Sequence, residues 1–233
     1  NSNIQSDESR TLSIEIEEAK LCPKYIGATI EGITISDSPV WLQKALKSID
    51  IEPINNVVDI TNYVMFEYGT PLHAFDLDFI KEKIVVKKGK KNDIFKTLDG
   101  VERRLNGEEL MITNGDSNLC IAGVYGGLTS GVSKKTTALF IESALFDSTS
   151  VRKTSKAHGL QTDASFRFER GVDPTFTESA MQRALSLIME CAGGKITMAP
   201  KCVQSHETPS EVIELNTERL IERLGINIKT DDI

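Results

Sequence analysis

The chain contains 233 residues, which is enough to bury a core in one large domain or in two small ones. Its hydrophobic content of 39% and charged content of 26% are ordinary for a soluble globular protein, and no apolar run approaches the ~18 residues of a membrane-spanning helix. The formal net charge of −7 argues against binding of nucleic acid over a broad basic face. It does not exclude a domain that handles only the end of a nucleic acid.

The cysteines are widely spaced and form no C-x-x-C pair. We therefore expect reduced thiols in a cytoplasmic protein and no zinc site. The polar start of the chain, "NSNIQSDESR", is typical of a linker and not of a signal peptide. The four cysteines are Cys22, Cys120, Cys191 and Cys202.

The first quarter of the chain is predicted to form two strands and a helix. Apolar and polar residues alternate over 11–17 and again over 25–35, as in half-buried strands, and glycines in the second stretch suggest a bulge or a close approach. Ser38 is suited to cap a helix that Pro39 opens and that carries an apolar face as far as Ile49.

A second helix is predicted before a strand-rich middle. It covers 55–69, with Asn55 or Asn56 as its cap and Gly69 at its end. Asp99–Gly100 predicts a hairpin turn. The predicted strands of the middle part are 83–88, 94–98, 101–105, 110–113, 119–127 and 137–146.

A polar segment, a helix and a strand are predicted to follow. Residues 151–174 are rich in charges and hydroxyl groups. Asp173 and Pro174 then predict the cap and the opening of a helix that ends at Gly193–Gly194. The sequence "GKITMAPKCV" predicts a further strand.

The last part of the chain is predicted to be a separate, unfinished unit. Pro209 marks its boundary. A strand over 211–215 is predicted to precede a helix that Asn216 caps and Gly225 ends. A new helix is predicted to start at Thr230.

Three stretches contain polar groups or glycines that architecture alone does not explain. The first, "DITNYVMFEYGTPLHAFD", places Thr61, Asn62 and His73 near the end of one helix and its exit loop. By itself, His73 fits either a polar group in a site or a core histidine with a satisfied hydrogen bond. The glycines of the second, "IAGVYGGLTSGV", fit close backbone approach to a ligand or tight turns. The third, "HGLQTDASFRFERG", fits a functional segment or a solvated loop.

Glu142 is a single acidic residue in the apolar strand "ALFIESALF". Burying a carboxylate without partners costs several kcal/mol or forces its protonation. A structural salt bridge and a polar spot in a ligand pocket are both compatible with this pattern. The sequence contains no G-x-S-x-G, P-loop, H-E-x-x-H or Rossmann glycine pattern.

Together, the three stretches resemble the β subunits of bacterial phenylalanyl-tRNA synthetases. The matching blocks cover roughly 20–205 in the order of the family, and Thr70 replaces the Gln that is usual in its "GQPxHAFD" motif. The resemblance implies the B3/B4 editing module over 20–208, an α+β fold of mixed, largely antiparallel sheets flanked by helices. A linker with a leading strand over 1–19 would precede it, and the truncated start of a B5-like helical module over 209–233 would follow.

The resemblance also implies an activity and a site. The module of this family hydrolyses tyrosine wrongly attached to tRNA(Phe), which we expect to proceed by attack of a positioned water without a covalent intermediate or a metal. Glu142 would read the tyrosine hydroxyl. Carried over by position, the catalytic residues are His73, Thr61, Asn62 and Thr162, and the substrate-binding residues are Glu142, Gly126, Gly127 and Ala164.

The partners implied are the acceptor end of tRNA(Phe) and a synthetase α subunit, in an α2β2 heterotetramer. ATP and Mg²⁺ are expected for aminoacylation by the whole synthetase, on the partner subunit, and no cofactor for this module. Weak contacts to the tRNA backbone are expected from Arg152, Lys156, Arg167 and Arg170, which equally fit ordinary surface salt bridges. The alternative function is a non-catalytic module that is structural or binds the tRNA acceptor end.

Overall fold

The computed structural model describes residues 6–205 and 212–233 of the chain. The strands are β1 (Ser13–Ile16), β2 (Lys24–Ile33), β3 (Leu72–Asp76), β4 (Lys83–Lys88), β5 (Ile94–Lys96), β6 (Glu102–Arg104), β7 (Leu110–Thr113), β8 (Asn118–Ile121), β9 (Tyr125–Gly126), β10 (Ala138–Leu145) and β11 (Gly193–Gln204). The α-helices are α1 (Val40–Lys47), α2 (Asn56–Tyr68), α3 (Ser148–His158), α4 (Asp163–Phe168), α5 (Phe176–Ala192) and α6 (Thr217–Leu224).

These elements form an α+β fold, which confirms the predicted class. One sheet has five strands in the order β1-β4-β7-β8-β9, in which β1 and β4 are parallel and the other pairs are antiparallel. A second, entirely antiparallel sheet has the order β11-β2-β10-β3. β5 and β6 form a separate hairpin. Among the described helices, none is long and apolar enough to cross a membrane.

The four-stranded sheet separates two apolar layers. One face packs on the five-stranded sheet through large side chains such as Tyr25, Phe75 and Phe140. The other face packs on α2 and α5 through the residues that alternate with these, such as Leu139 and Ile141. Because successive side chains of a strand point to opposite faces, the even-numbered residues of β10 point into the layer between the sheets. Glu142 is one of them.

The two ends of α2 follow from its sequence. The side chain of Asn55 accepts hydrogen bonds from the backbone N–H groups of Val57 and Val58, at 3.1 Å and 2.9 Å, and so caps the helix. Gly69 ends it in the left-handed conformation, with φ of 71°. Asn56, the other predicted cap, is buried and donates to the carbonyl of Thr34. The capping role of Asn55 and the end at Gly69 are therefore confirmed.

The polar segment 151–174 contains most of α3 and all of α4, and within the stretch 158–171, for which a solvated loop was one alternative, α4 forms the central part. The Asp147 side chain accepts from the N–H of Ser150 at the start of α3, and Gly159 ends that helix with φ of 62°. Thr162 and Ser165 form a capping box that starts α4. The capping residues were present in the sequence, but the segment has too few apolar residues to show the periodic pattern that predicts a helix.

Two predicted helix starts are wrong by one or two residues. The Ser38 hydroxyl donates to the buried carboxylate of Asp59 and does not cap α1, so that Pro39 occupies the cap position. Asp173 accepts from the N–H of Thr175, and this turn moves the cap of α5 to Thr175. The Ser38 side chain thus donates to an acceptor distant in sequence, and the Asp173 side chain accepts from a donor nearer than the one expected.

Two other predictions in the middle of the chain need correction. His73 lies in β3 and not in an exit loop, because the chain re-enters the four-stranded sheet directly after Gly69. The stretch 119–127 is not one strand: it forms β8 and β9, and Gly123 makes the turn between them with φ of 66°. The hairpin at Asp99–Gly100 is confirmed by the pairing of β5 with β6.

The C-terminal part is only partly as predicted. Asn216 caps α6 by accepting from the N–H of Arg219, and Gly225 ends the helix, both as predicted. Residues 212–216 form no strand, and a 3-10 turn, not an α-helix, begins at Thr230. The predicted boundary at Pro209 lies outside the described residues.

The two asparagine caps allow a matched test. We expect Asn55→Ala to lower the free energy of unfolding by about 1 kcal/mol, because two backbone donors of the packed helix α2 lose their acceptor. Asn216→Ala removes the same chemistry from α6, which has no buried residue, so the main unfolding transition should not shift. Urea denaturation followed by circular dichroism measures both, and equal shifts would contradict the assigned packing.

Candidate functional site between the two sheets

Glu142 and His73 are direct neighbours on adjacent antiparallel strands. Their Cα atoms pair across β10 and β3, so both side chains lie on the face that points into the layer between the sheets. Glu142 is 5% exposed, and Oε2 accepts a hydrogen bond of 2.6 Å from the hydroxyl of Tyr25. Within 6–205 and 212–233, no cation forms a salt bridge with Glu142. A phenol therefore takes the place of the cation that the salt-bridge hypothesis required.

Burial moves the pKa values of this pair in opposite directions. It raises the pKa of the Glu142 carboxyl from 4.5 to about 7, although the Tyr25 hydrogen bond acts in the lowering direction. It lowers the pKa of the His73 imidazole from 6.5 to about 4. At neutral pH His73 is thus uncharged and Glu142 is close to its midpoint, a state that can exchange a proton or accept a hydrogen bond.

The His73 ring is buried at its Nε2 atom, which has no hydrogen-bond partner among the described residues. The ring packs edge-on against Phe75, with centroids 4.4 Å apart. On its other side is Gly126: a Cβ atom there would lie 3.0 Å from Cε1 and 3.3 Å from Nε2 of His73. His73 is consequently not a core histidine with a satisfied hydrogen bond, and an unpaired buried nitrogen is a feature that a bound water or ligand would satisfy.

The glycines of the second stretch serve different purposes. Gly126 allows the His73 ring to approach the backbone of β9, as described above. At Gly127 a Cβ atom would lie 2.5 Å from the carbonyl oxygen of Leu119, so close packing of the chain on β8 requires a glycine there. At Gly131 the nearest atom would be Cδ2 of Leu98, at 3.0 Å. These three glycines therefore allow close packing within the chain, whereas approach to a ligand, the alternative proposed from the sequence, stays a prediction.

Helix α4 brings Thr162 and Ala164 to the turn before β9. The Thr162 hydroxyl donates to the carbonyl of Val124 at 3.0 Å and accepts from the N–H of Ser165. Ala164 is half-buried in the first turn of the helix. A surface cleft of about 390 Å³ lies beside this helix and includes Thr162 and Arg170 in its wall. Neither Glu142 nor His73 lines this cleft.

Thr61 and Asn62 lie on α2, which packs on the opposite face of the four-stranded sheet. The Thr61 hydroxyl donates to the carbonyl of Val58 at 2.7 Å, and Asn62 is half-buried. In the described part of the chain, no hydrogen bond joins either residue to His73 or Glu142. One helical turn beyond Asn62, the Phe66 ring lies 4.1 Å below the guanidinium of Arg167, which links α2 to α4.

The four basic residues predicted to contact tRNA divide into two pairs. Arg152 and Lys156 are exposed on α3, and their charged groups form no salt bridge within the described part of the chain. Arg167 pairs with Asp163 at 3.2 Å, and Arg170 pairs with Glu169 at 2.6 Å. The second pair therefore matches the surface-salt-bridge alternative more closely than the first.

Sequence reasoning did not identify two other buried polar groups. Glu109 is fully buried and contacts Nε2 of His158 at 2.7 Å, which ties the turn before β7 to the end of α3. Thr70 is also fully buried, and its hydroxyl has no partner among the described residues. Tyr25 could have been placed on the correct face of β2 by alternation, but its partner could not. The described residues contain no cluster of three or more His, Cys, Asp or Glu side chains that could hold a metal ion.

The opposite shifts of Glu142 and His73 predict opposite effects on stability. The folded-state pKa of Glu142 lies above its unfolded value, so its contribution to the free energy of unfolding decreases as the pH rises from 4.5 to about 7. That of His73 lies below its unfolded value, so its contribution decreases as the pH falls from 6.5 to about 4. Where these windows overlap, the two contributions cancel.

Single substitutions of Glu142 and His73 should reveal the contribution of each residue to the pH dependence of the free energy of unfolding. Relative to the parent chain, we expect the stability of Glu142→Gln to rise with pH across the overlap by up to about 1.4 kcal/mol per pH unit, and that of His73→Gln to fall similarly. Urea denaturation at several pH values between about 5 and 6.5 measures the slopes. All other titrating groups form a common background, so slopes of the same sign relative to the parent would contradict the assigned ionisation states.

Comparisons with known proteins identify the family of the chain. A sequence model of the family described as "B3/4 domain" matches residues 21–193. The chain is 46% identical over 223 residues to the phenylalanine–tRNA ligase beta subunit of Bacteroides fragilis, covering 95% of this chain and 27% of that protein. It is 48% identical over 223 residues to the corresponding subunit of Porphyromonas gingivalis, covering 94% of this chain and 27% of that protein. The resemblance to these subunits is thus confirmed.

A solved structure shares the fold. The crystal structure of an N-terminal fragment of the phenylalanyl-tRNA synthetase beta-subunit from Pyrococcus horikoshii matches with a TM-score of 0.56 at 14% identity, covering 98% of this chain and 64% of that one. The chain spans only about a quarter of the length of the curated relatives. Because the family model covers well over half of the chain, including both β10 and β3, the chain belongs to the B3/4 domain family.

Proposed function

We propose that this chain is the editing module of a phenylalanyl-tRNA synthetase beta subunit and hydrolyses the ester of mischarged Tyr-tRNA(Phe). The observation that carries the proposal is the cross-strand pair of Glu142, a buried carboxyl group, and His73, whose Nε2 atom lies beside Gly126 and has no hydrogen-bond partner among the described residues. A structural core position would not require these three features together. Similarity to beta subunits supplies the substrate class.

The physical need for such a site follows from the chemistry of the two amino acids. An apolar pocket shaped for phenylalanine rejects an analogue that merely adds a hydroxyl by only about a hundredfold. A second site must therefore recognise the hydroxyl itself. A buried carboxylate is a strong acceptor for a phenol. The bond of 2.6 Å between Tyr25 and Glu142 is the same chemistry, made within the chain.

The proposed reaction is direct hydrolysis. A water oxygen attacks the ester carbonyl carbon, the bond from that carbon to the ribose oxygen breaks, and the proton released by the water ends on the ribose oxygen. Tyrosine and intact tRNA are the products. Uncharged His73 would hold the water or the ester through Nε2. Thr162, at the cap of α4, is the second residue proposed to hold one of them. Orientation and fixed hydrogen bonds then supply the rate enhancement.

The rest of the enzyme is proposed from the relatives. The acceptor end of tRNA(Phe) would reach the module while other parts of an α2β2 synthetase hold the tRNA body, which is compatible with the net charge of −7. Arg152 and Lys156, exposed on α3, are the strongest candidates for backbone contacts. ATP and Mg²⁺ would act in aminoacylation by the whole cytoplasmic enzyme. Thr61 and Asn62, on α2, are carried into the proposal by their position in the family motif alone.

Removing the Glu142 carboxylate tests the proposal. In the assembled synthetase that contains this chain, we expect Glu142→Ala to slow deacylation of Tyr-tRNA(Phe) by about ten- to a hundredfold, because a hydrogen bond to a charged group contributes about 1.5–3 kcal/mol. The release of tyrosine from radiolabelled Tyr-tRNA(Phe) measures the rate. Wild-type hydrolysis by a well-folded Glu142→Ala variant would rule out hydroxyl reading.

Glu109→Ala is the matched control, since Glu109 is also a buried carboxylate. It should lower stability, by leaving the N–H groups of Asn106 and Gly107 without their acceptor, and leave the activity of the folded protein unchanged. If the wild-type enzyme itself fails to deacylate Tyr-tRNA(Phe), the non-catalytic alternative replaces the editing function.

Two adjacent glycines provide a second test. An alanine Cβ at Gly126 would press on the His73 ring and on the end of the Leu98 side chain, which can move. We therefore expect Gly126→Ala to keep the fold but to displace His73 and slow deacylation, by up to about a hundredfold. An alanine Cβ at Gly127 would meet the Leu119 carbonyl, which cannot move cheaply, so Gly127→Ala should lower the free energy of unfolding by about 1–3 kcal/mol.

Deacylation rates and thermal unfolding, measured side by side, distinguish the two variants. A Gly126→Ala variant with full activity would remove His73 from the site. A stable Gly127→Ala variant would show that the packing of β9 on β8 is looser than the structure describes.

A further inference from the structure

Tyr25 is the partner that β2 provides for Glu142. Its side chain is fully buried, and its hydroxyl donates to Oε2. This is the only hydrogen bond to the Glu142 carboxylate within the described residues. Each carboxylate oxygen can accept more than one hydrogen bond. The second oxygen, Oε1, remains for another donor.

The register explains why Tyr25 reaches this carboxylate. Glu142 is the Cα partner of Gly27, and Tyr25 lies two residues before Gly27, on the same face of the sheet. Gly27 has no side chain that could separate them, and the Phe140 ring occupies the space above it. Tyr25 also stacks on Phe140, with ring planes inclined at 22°. The phenol is therefore a rigid donor on a neighbouring strand.

The other titratable groups near Glu142 do not compete for this role. Burial raises the pKa of the thiols of Cys22, before β2, and Cys120, on β8, so both keep their protons, and they donate to the backbone carbonyls of Lys24 and Ile121 rather than to Glu142. Burial and the Glu142 charge likewise raise the pKa of the Tyr25 phenol, so it keeps its proton. His73, on β3, is uncharged near neutral pH. Tyr25 is thus a neutral hydrogen-bond donor to Glu142 near neutral pH.

We propose that Tyr25 is a positioning residue, whose phenol holds Oε2 of Glu142 so that Oε1 alone is presented to the hydroxyl of the bound amino acid. The proposal rests on the editing function given above. Two phenols then share one carboxylate, one from the chain and one from the substrate. The chain's phenol fixes the direction of the free lone pairs and favours the charged form that accepts the second phenol.

The first experiment measures the ionisation of Glu142 without any substrate. In the chain labelled with ¹³C at glutamate side-chain carboxyls, NMR titration reports the midpoint of Glu142, which Glu142→Gln assigns. We expect Tyr25→Phe to raise this midpoint by about one to two pH units, because a hydrogen bond to the charged form is lost. Tyr68→Phe, at the end of α2, is the matched control and should not move it. An unchanged midpoint in Tyr25→Phe would overturn the proposal.

A second measurement avoids any loss of folding in Tyr25→Phe. Incorporation of 3-fluorotyrosine makes the phenol a stronger donor without removing it. The Glu142 midpoint should then move down, opposite to its movement in Tyr25→Phe. A midpoint that stays the same would again overturn the proposal.

The third measurement separates this proposal from the editing function. In the assembled synthetase, Tyr25→Phe should slow deacylation of Tyr-tRNA(Phe) about tenfold and move its pH–rate profile in the direction of the NMR midpoint. If the wild-type enzyme edits and Tyr25→Phe has an unchanged rate and profile, Tyr25 has no positioning role but the editing function stands. If the wild-type enzyme does not edit, the editing function fails, and the role of Tyr25 in presenting Oε1 to an amino acid fails with it.

Discussion

The layer between the two β-sheets constrains everything else in this structure, because it must bury a carboxylate in an otherwise apolar environment. β10 lies between β2 and β3, and it brings the Glu142 side chain into that layer. The cost of desolvating the charge is visible in the raised pKa and is offset in part by the Tyr25 phenol. The strand order makes Gly27 and His73 the direct neighbours of this group, and Gly126 in turn lies against the His73 ring.

Local chemistry made part of the fold and the site predictable from the sequence. The cap at Asn55, the end at Gly69 and the strand over 137–146 depend on neighbouring residues only, and all three agree with the structure. Glu142 could be identified as unusual for the same reason, since one acid in an apolar strand violates a local rule. The family resemblance, rather than spacing, then suggested its role.

Long-range pairing was beyond the reach of the sequence. His73 and Glu142 become neighbours only through the strand order of the four-stranded sheet, and no periodicity encodes that order. The partner of the carboxylate was equally unpredictable, because a salt bridge and a phenol satisfy the same requirement. α3 and α4 were missed since their capping side chains, Asp147 and Thr162, precede segments with few apolar residues. Tertiary contacts, and not intrinsic patterns, stabilise such helices.

The order of the four-stranded sheet also has a consequence for the folding of the chain during synthesis. β2 is made early, yet both of its partners, β10 and β11, come more than a hundred residues later. Until both have emerged from the ribosome, the backbone groups on both edges of β2 are unpaired, and its Ile and Tyr side chains are uncovered. Contacts so distant in sequence form slowly, because the ends of a long chain segment must first be brought together. If translation pauses within this interval, the nascent chain exposes an aggregation-prone strand. Rapid synthesis or chaperone binding to this region would therefore favour the native state.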